Sequence, residues 1–336
     1  MMKVAVIGVG SMGKNHARIY ADLPNARLVG VADANESAAH TIAERYRTTP
    51  YTDFRTLLDT EKPDAVSIVT PTVEHLSVAQ AVIEQGIHLL IEKPIAFRVD
   101  EARQIIALAG EAGVKLMVGH IERFNPAIQA LKSRLAADEL GRVFQIDARR
   151  QGPFPARVKD VGVVIDLAVH DLDVMRYLTG AAVRRVFAET ERRIHSTYED
   201  LLEGLVRFDD GTVGTLAINW LTPTKIRELV VTGEKGMFRA DYLTQDLYFY
   251  ENATATAGSW DALRILRGVS EGRMVRYVVQ KQEPLRAELE AFIAAVENDT
   301  PPPVSGEDGL QALILAQALV ESGQKHTVVQ MKNAEK

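Results

Sequence analysis

No cysteine occurs in the 336 residues, which excludes disulfides, thiolate metal sites and a cysteine nucleophile. That absence agrees with a reducing, cytoplasmic setting. Basic charge is not in excess either: 39 Lys and Arg stand against 45 Asp and Glu, a formal net charge of -6, so the electrostatic footprint of a nucleic-acid binder is missing. Long apolar runs are also absent. The longest, Leu310 to Val320, contains two glutamines and falls short of the roughly 20 residues that cross a bilayer. Met1-Met2-Lys3 leads straight into a predicted strand, leaving no room for a signal peptide, and the expected location is the cytoplasm. No His or carboxylate set has metal-ligand spacing. What is present is the composition of a soluble globular protein, 46% hydrophobic and 25% charged, in a chain long enough for two domains.

Lys3 to Gly8 reads as a buried strand, Ser11 to Asp22 as a helix, Arg27 to Asp33 as a second strand and Glu36 to Tyr46 as a second helix. The alternation continues through Asp64 to Val69, Glu74 to Glu84, His88 to Ile91, Asp100 to Ala112 and Lys115 to Val118. Apolar runs separated by amphipathic helices indicate parallel strands covered on both faces. The fold class is therefore α/β, with residues 1–121 forming an N-terminal Rossmann domain, a doubly wound parallel sheet.

Beyond Arg123 the rhythm changes. Pro126 to Ala137 and Val164 to Leu178 read as helices. Val143 to Arg150, Arg184 to Thr190, Leu202 to Phe208, Val213 to Trp220, Ile226 to Thr232 and Leu247 to Tyr250 read as strands without intervening helices. Asp209-Asp210-Gly211 is a hairpin signal. Ala253 to Ser259 is a small-residue loop, and Pro301-Pro302-Pro303 separates two closing helices, Leu285 to Val296 and Asp308 to Ser322. Residues 122–336 are expected to form a C-terminal α+β domain with an open, largely antiparallel sheet that binds substrate and joins copies of the chain.

Gly8-Val9-Gly10-Ser11-Met12-Gly13 follows a strand and opens a helix, the context in which this glycine spacing marks a dinucleotide site. The glycines permit a tight turn and close approach of backbone to a diphosphate, whose charge rests at the helix N-terminus. Asp33, at the end of the second strand, can accept hydrogen bonds from both hydroxyls of an adenosine ribose and would repel a 2′-phosphate. Neighbouring Ala34 and Asn35 supply no compensating cation, so NAD is expected over NADP. Thr70, Pro71 and His75 follow the next strand, and Glu92 and Lys93 the one after, where such a sheet places its ligand; all five are candidate cofactor contacts. His16, His40, His88, His195 and His326 are expected to be structural or solvated.

Glu92-Lys93-Pro94 and the pair Asp166 and His170 suggest the chemistry. On a helix, side chains four apart share a face, so carboxylate and imidazole can address one small volume. Histidine ordinarily titrates near 6.5, which suits removal of a hydroxyl proton as hydride leaves, and a lysine ammonium stabilises a developing alkoxide. Asp166 would orient the imidazole or bond a neighbouring hydroxyl.

These motifs, with Thr70-Pro71-Thr72-Val73-Glu74-His75 and Pro284-Leu285-Arg286-Ala287-Glu288-Leu289, resemble in order and spacing the Gfo/Idh/MocA family of glucose-fructose oxidoreductases and inositol dehydrogenases. The resemblance covers nearly the whole chain. It implies that Lys93 and His170 lie beside the nicotinamide with His170 as base, and that the chain assembles by face-to-face packing of C-terminal sheets into a dimer or tetramer. Gly119-His120-Ile121-Glu122-Arg123-Phe124-Asn125-Pro126, Gly152-Pro153-Phe154-Pro155 and Asp160 to Asp173 further resemble the branch that oxidises the C3 hydroxyl of UDP-N-acetylglucosamine ahead of an aminotransferase. Lys93, Glu122, Arg123, Asp166 and His170 are then substrate candidates, and Arg149, Arg150 and Arg157 candidates for the diphosphate. Oxidation of inositol or a free sugar at C2, oxidation of UDP-N-acetylglucuronate at C3, and a non-catalytic NAD-binding sensor are the alternatives.

Overall fold

A computed structural model describes residues 1–155, 161–253 and 271–331. Arg157 and all of the predicted small-residue loop except Ala253 lie outside the described residues. The chain divides into two units, one of Met1–Ile121 with Glu283–Ile314, the other of Glu122–Gln282 with Leu315 onward.

In the first unit β1 (Met2–Ile7), α1 (Gly13–Asp22), β2 (Ala26–Ala32), α2 (Glu36–Tyr46), β3 (Thr49–Tyr51), α3 (Phe54–Glu61), β4 (Ala65–Ile68), α4 (His75–Glu84), β5 (His88–Glu92), α5 (Val99–Ala112) and β6 (Leu116–Gly119) alternate. The strands pair in parallel in the order β3-β2-β1-β4-β5-β6. Val4, Ala5, Val6, Val66, Ile68, Leu89, Leu90 and Ile91 are fully buried, as strands with helices on both faces require. The chain crosses from one sheet half to the other between β3 and β4, so β1 and β4 flank the switch point, and ligands bind at the carboxyl ends of strands flanking such a point.

The expectation that all residues beyond 121 belong to the second domain needs correcting. Helix α8 (Pro284–Glu297) returns to the first unit, where Glu283 pairs with Arg18 and Arg286 with Asp22. The segment after it runs along β6: Val118 N donates to Val304 O at 3.2 Å. The last helix, α9 (Gly306–Lys325), starts at a glycine whose added Cβ would lie 2.8 Å from Ile106 and Leu116 side chains. Apolar burial against the sheet edge outweighs sequence distance here.

The second unit holds α6 (Pro126–Ala136), α7 (Val169–Thr179) and strands β7 (Val143–Pro153), β8 (Val183–Glu191), β9 (Leu201–Phe208), β10 (Val213–Asn219), β11 (Leu221–Gly233), β12 (Gly236–Asp241), β13 (Asp246–Asn252), β14 (Glu271–Tyr277) and β15 (Val329–Gln330). Their order is β14-β13-β12-β11-β7-β10-β9-β8-β15, antiparallel except between β7 and β10. Period-2 alternation divides each strand between two faces. Ile146, Ala148, Leu202, Val206, Leu216, Ile218, Leu229, Val231 and Phe238 are buried on one of them. Gly214, on that face, has Met175 of α7 so close that a Cβ would lie 2.9 Å from its sulfur. The opposite face carries Asp147, Arg149, Leu205, Thr215, Val230 and Arg239, none of them buried.

No helix among the described residues is long and apolar enough to cross a membrane.

Candidate active site

The glycine turn between β1 and α1 has the close contacts its sequence requires. Gly8 has φ +89, and a Cβ there would lie 2.5 Å from Val69 O; one on Gly13 would lie 1.8 Å from Gly8 O. A Cβ on Gly10 would meet nothing within 4 Å. The turn is thus tight on the sheet side and open at Gly10, where a dinucleotide diphosphate would approach, flanked by the exposed Ser11 and half-buried Met12. Helix α1 begins without a side-chain cap or an acid in its first turn, which suits an anion at its amide groups. Asp33 Oδ2 accepts from Val9 N and Oδ1 from Asn35 N, both at 2.9 Å. Each carboxylate oxygen retains capacity for a ribose hydroxyl. These residues fit NAD.

The ends of β4 and β5 are tied together behind this turn. His75, 1% exposed, directs Nδ1 at Pro94 O (3.0 Å) and Nε2 at Thr70 O (3.1 Å). Burial holds its pKa below the ordinary histidine value. Its side chain therefore joins the Thr70-Pro71 loop to the Glu92-Lys93-Pro94 loop and is enclosed between them. Glu92 accepts from His16 Nε2 at 3.0 Å and from Lys93 N at 3.2 Å. Burial alone would raise the Glu92 carboxyl, but the hydrogen bond from His16 and the nearby Lys93 bring it below its ordinary value. Lys93 is half-buried, and its bond to Pro94 is cis.

In the second unit Asp166 and His170 lie on consecutive turns. Val164–Ala168 is a π-helical turn that runs into α7, a wider turn often found at functional sites. Asp166 is 9% exposed and His170 half-buried. The turn is capped from a distant loop: Glu199 O accepts from Val163 N at 2.9 Å, and Glu199 Oε1 from Val164 N at 3.2 Å. A Cβ on Gly162 would fall 2.0 Å from that carboxylate, so only glycine leaves room for the cap.

Immediately after His170, Asp171 accepts from Arg150 through both oxygens at 2.6 and 3.1 Å. Glu122 accepts from the same guanidinium at 2.8 Å. These carboxylates hold the buried Arg150 well above its ordinary pKa despite burial, which acts the other way. Arg123, also buried, forks onto Asp173 at 2.6 and 2.7 Å and lies 5.1 Å from the Tyr177 ring.

Buried carboxylates on α7 require basic partners, and Glu122 and Arg123, expected as substrate contacts, both belong to the resulting ion pairs. Arg150 is enclosed in the same way. Arg149, the next residue on β7, points to the opposite face of the sheet from Asp171, 3.8 Å from Glu228, and cannot serve a site at His170. Sequence reasoning missed Arg227. It stands opposite Arg150 across β7 and β11, hence on the same face, is half-buried, and has a pKa lowered by burial and by Arg150. Asp166, Asp171 and Glu122 all act on its charge. Among the described residues, no group of three or more His, Asp or Glu could hold a metal ion.

The family profile described as oxidoreductase, NAD-binding Rossmann fold, matches residues 2–120, and the Gfo/Idh/MocA C-terminal domain profile matches residues 128–239. The chain belongs to the Gfo/Idh/MocA oxidoreductase family. It is 32% identical to the UDP-N-acetylglucosamine 3-dehydrogenase of Acidithiobacillus ferrooxidans over 94% of this chain and 95% of that one. The solved structure of that enzyme matches with a TM-score of 0.85 at 31% identity, covering 96% and 98% of the two chains. The myo-inositol 2-dehydrogenase of Thermotoga maritima is 26% identical over 98% and 99%. The WlbA dehydrogenase of Bordetella pertussis, solved with NADH and UDP-GlcNAcA, shares the fold at TM-score 0.82 and 23% identity, covering 99% of each chain.

This Gfo/Idh/MocA member is a sugar dehydrogenase, and NAD is its cofactor. The first unit brings the glycine turn, Asp33, Thr70, Glu92 and Lys93 to the carboxyl ends of one sheet. The second brings Asp166, His170 and Arg227 to the helix-covered face of the other.

Proposed function

We propose that the enzyme oxidises the C3 hydroxyl of UDP-N-acetylglucosamine to the 3-keto sugar nucleotide. The observation that carries this reading is the likeness, along nearly the whole chain, to the Acidithiobacillus enzyme of that activity. NAD supplies the hydride acceptor. His170 takes the hydroxyl proton as the C–H bond gives up its hydride, and the Lys93 ammonium stabilises the oxygen as charge develops. Asp166 orients the imidazole or holds a neighbouring hydroxyl. Arg227 replaces Arg149 as the cation for the diphosphate, since guanidinium donors match phosphoryl oxygens. The enzyme works in the cytoplasm as a homo-oligomer, and its ketone is consumed by an aminotransferase that makes a diamino sugar for lipid A.

NADH absorbance read against UDP-N-acetylglucosamine, UDP-N-acetylglucuronate, inositol and free hexoses tests the reading. The expected outcome is a highest kcat/KM with UDP-N-acetylglucosamine. Turnover confined to inositol would transfer the assignment to a 2-dehydrogenase, which the Thermotoga relative favours.

A further inference from the structure

His16 is fully buried on α1, three residues after the last glycine of the cofactor turn. The only hydrogen bond of its side chain among the described residues is from Nε2 to Glu92 Oε1, at 3.0 Å. The other oxygen of that carboxylate accepts the Lys93 amide. The third wall of the slot is Gly119 at the end of β6, where a Cβ would come within 3.1 Å of Glu92 Cδ and 3.2 Å of Oε1. Three elements thus converge on one buried carboxylate. Burying such a charge costs several kcal/mol unless its partners are well placed, and an apolar side chain would pack the slot without that cost. The arrangement makes sense if the direction of the carboxylate matters.

We propose that His16 is a positioning residue for Lys93: by fixing the Glu92 carboxylate it locks the backbone of the lysine to the helix that opens on the dinucleotide turn. The neighbours acting on that carboxylate are His16 from α1, through its hydrogen bond, and Lys93 beside it. Cofactor turn and lysine loop then move as one body, with His75 bracing the far side through Pro94 O. The proposal rests on Lys93 stabilising the reacting oxygen.

The test combines a reading that needs no sugar with one that does. In His16→Leu, amide exchange at Lys93 should accelerate about tenfold or more while Leu90, in the strand that precedes it, stays protected. Its kcat should fall roughly 10- to 100-fold, the scale of a small misplacement, with NAD affinity nearly unchanged. His16→Gln, whose terminal amide can donate where Nε2 does, should restore both. Unchanged Lys93 exchange in folded His16→Leu, or equal damage from Gln and Leu, overturns the proposal. Should the leucine variant not fold, His16→Met, equally unable to donate but more adaptable in packing, carries the same comparison. If the wild type oxidises none of the sugars offered, the functional reading fails while the amide exchange still reports on the brace.

Discussion

At residue 170, the proposed base, proton transfer should separate from cofactor binding. His170→Ala should lower kcat by about 10²- to 10⁴-fold, the range for a general base, with NAD affinity by fluorescence titration nearly intact; an unchanged kcat removes His170 from the mechanism. Lys93→Met should lose roughly 3–4 kcal/mol of transition-state stabilisation, and wild-type turnover would refute that role. Cofactor choice depends on Asp33. Asp33→Ser with Ala34→Arg should move the ratio of kcat/KM from NAD toward NADP, whereas equal wild-type efficiency with both cofactors would show that Asp33 does not reach the ribose. The places of Lys93, Asp33 and the glycines in the fold were legible because each sits at a fixed offset from a strand end. Glu122 and Arg123 were not, since their partners Arg150 and Asp173 lie 28 and 50 positions away. A charge type in the sequence does not say whether it meets substrate or another side chain. The acids at 171 and 173 in an apolar helix were the available signal.

Among the elements, the turn carrying Asp166 depends most on a remote partner. The sequence reads as one helix from Val164 to Leu178, but its first turn is π-helical and its amides are capped by Glu199. Burial raises the Glu199 carboxyl above its ordinary value, so the folded state holds that proton more tightly than the unfolded chain. Its contribution to stability is therefore full below the ordinary glutamate pKa and is lost as pH rises through the folded value. Glu199→Gln, which keeps an acceptor for Val164 N, should flatten the change in Tm between about pH 4 and about pH 7; an unaltered slope would show that another group sets it. Gly162→Ala should displace the cap and reduce kcat more than NAD affinity. Strands β3, β12, β14 and β15 escaped the sequence reading for local reasons. The first is Thr49-Pro50-Tyr51, the last spans two residues, and β14 carries charges at an edge, a device that discourages further pairing.

For the whole molecule, the second unit's sheet leaves one face without helices among the described residues. Registers place Phe187, Leu205, Thr215, Asp147, Val230, Arg239, Tyr248 and Arg276 in one row across eight strands of it. The sequence pattern showed that this face would exist, because apolar and polar positions alternate through Val213 to Trp220, but not how polar it would be. Leu205 is 48% and Met274 60% exposed, interspersed with charges. That mixture fits an interface between folded copies better than a missing layer of core, and a closed symmetric pairing would bury it on both partners. Light scattering at micromolar concentration should give a mass near four chains, and the mass of a single chain would overturn the assembly. Leu205→Glu should dissociate it. Because Leu205 is already half in solvent in the isolated chain, that substitution should change the intrinsic stability of the fold by no more than about 0.5 kcal/mol, so smaller particles that retain NAD binding would locate the interface on this face.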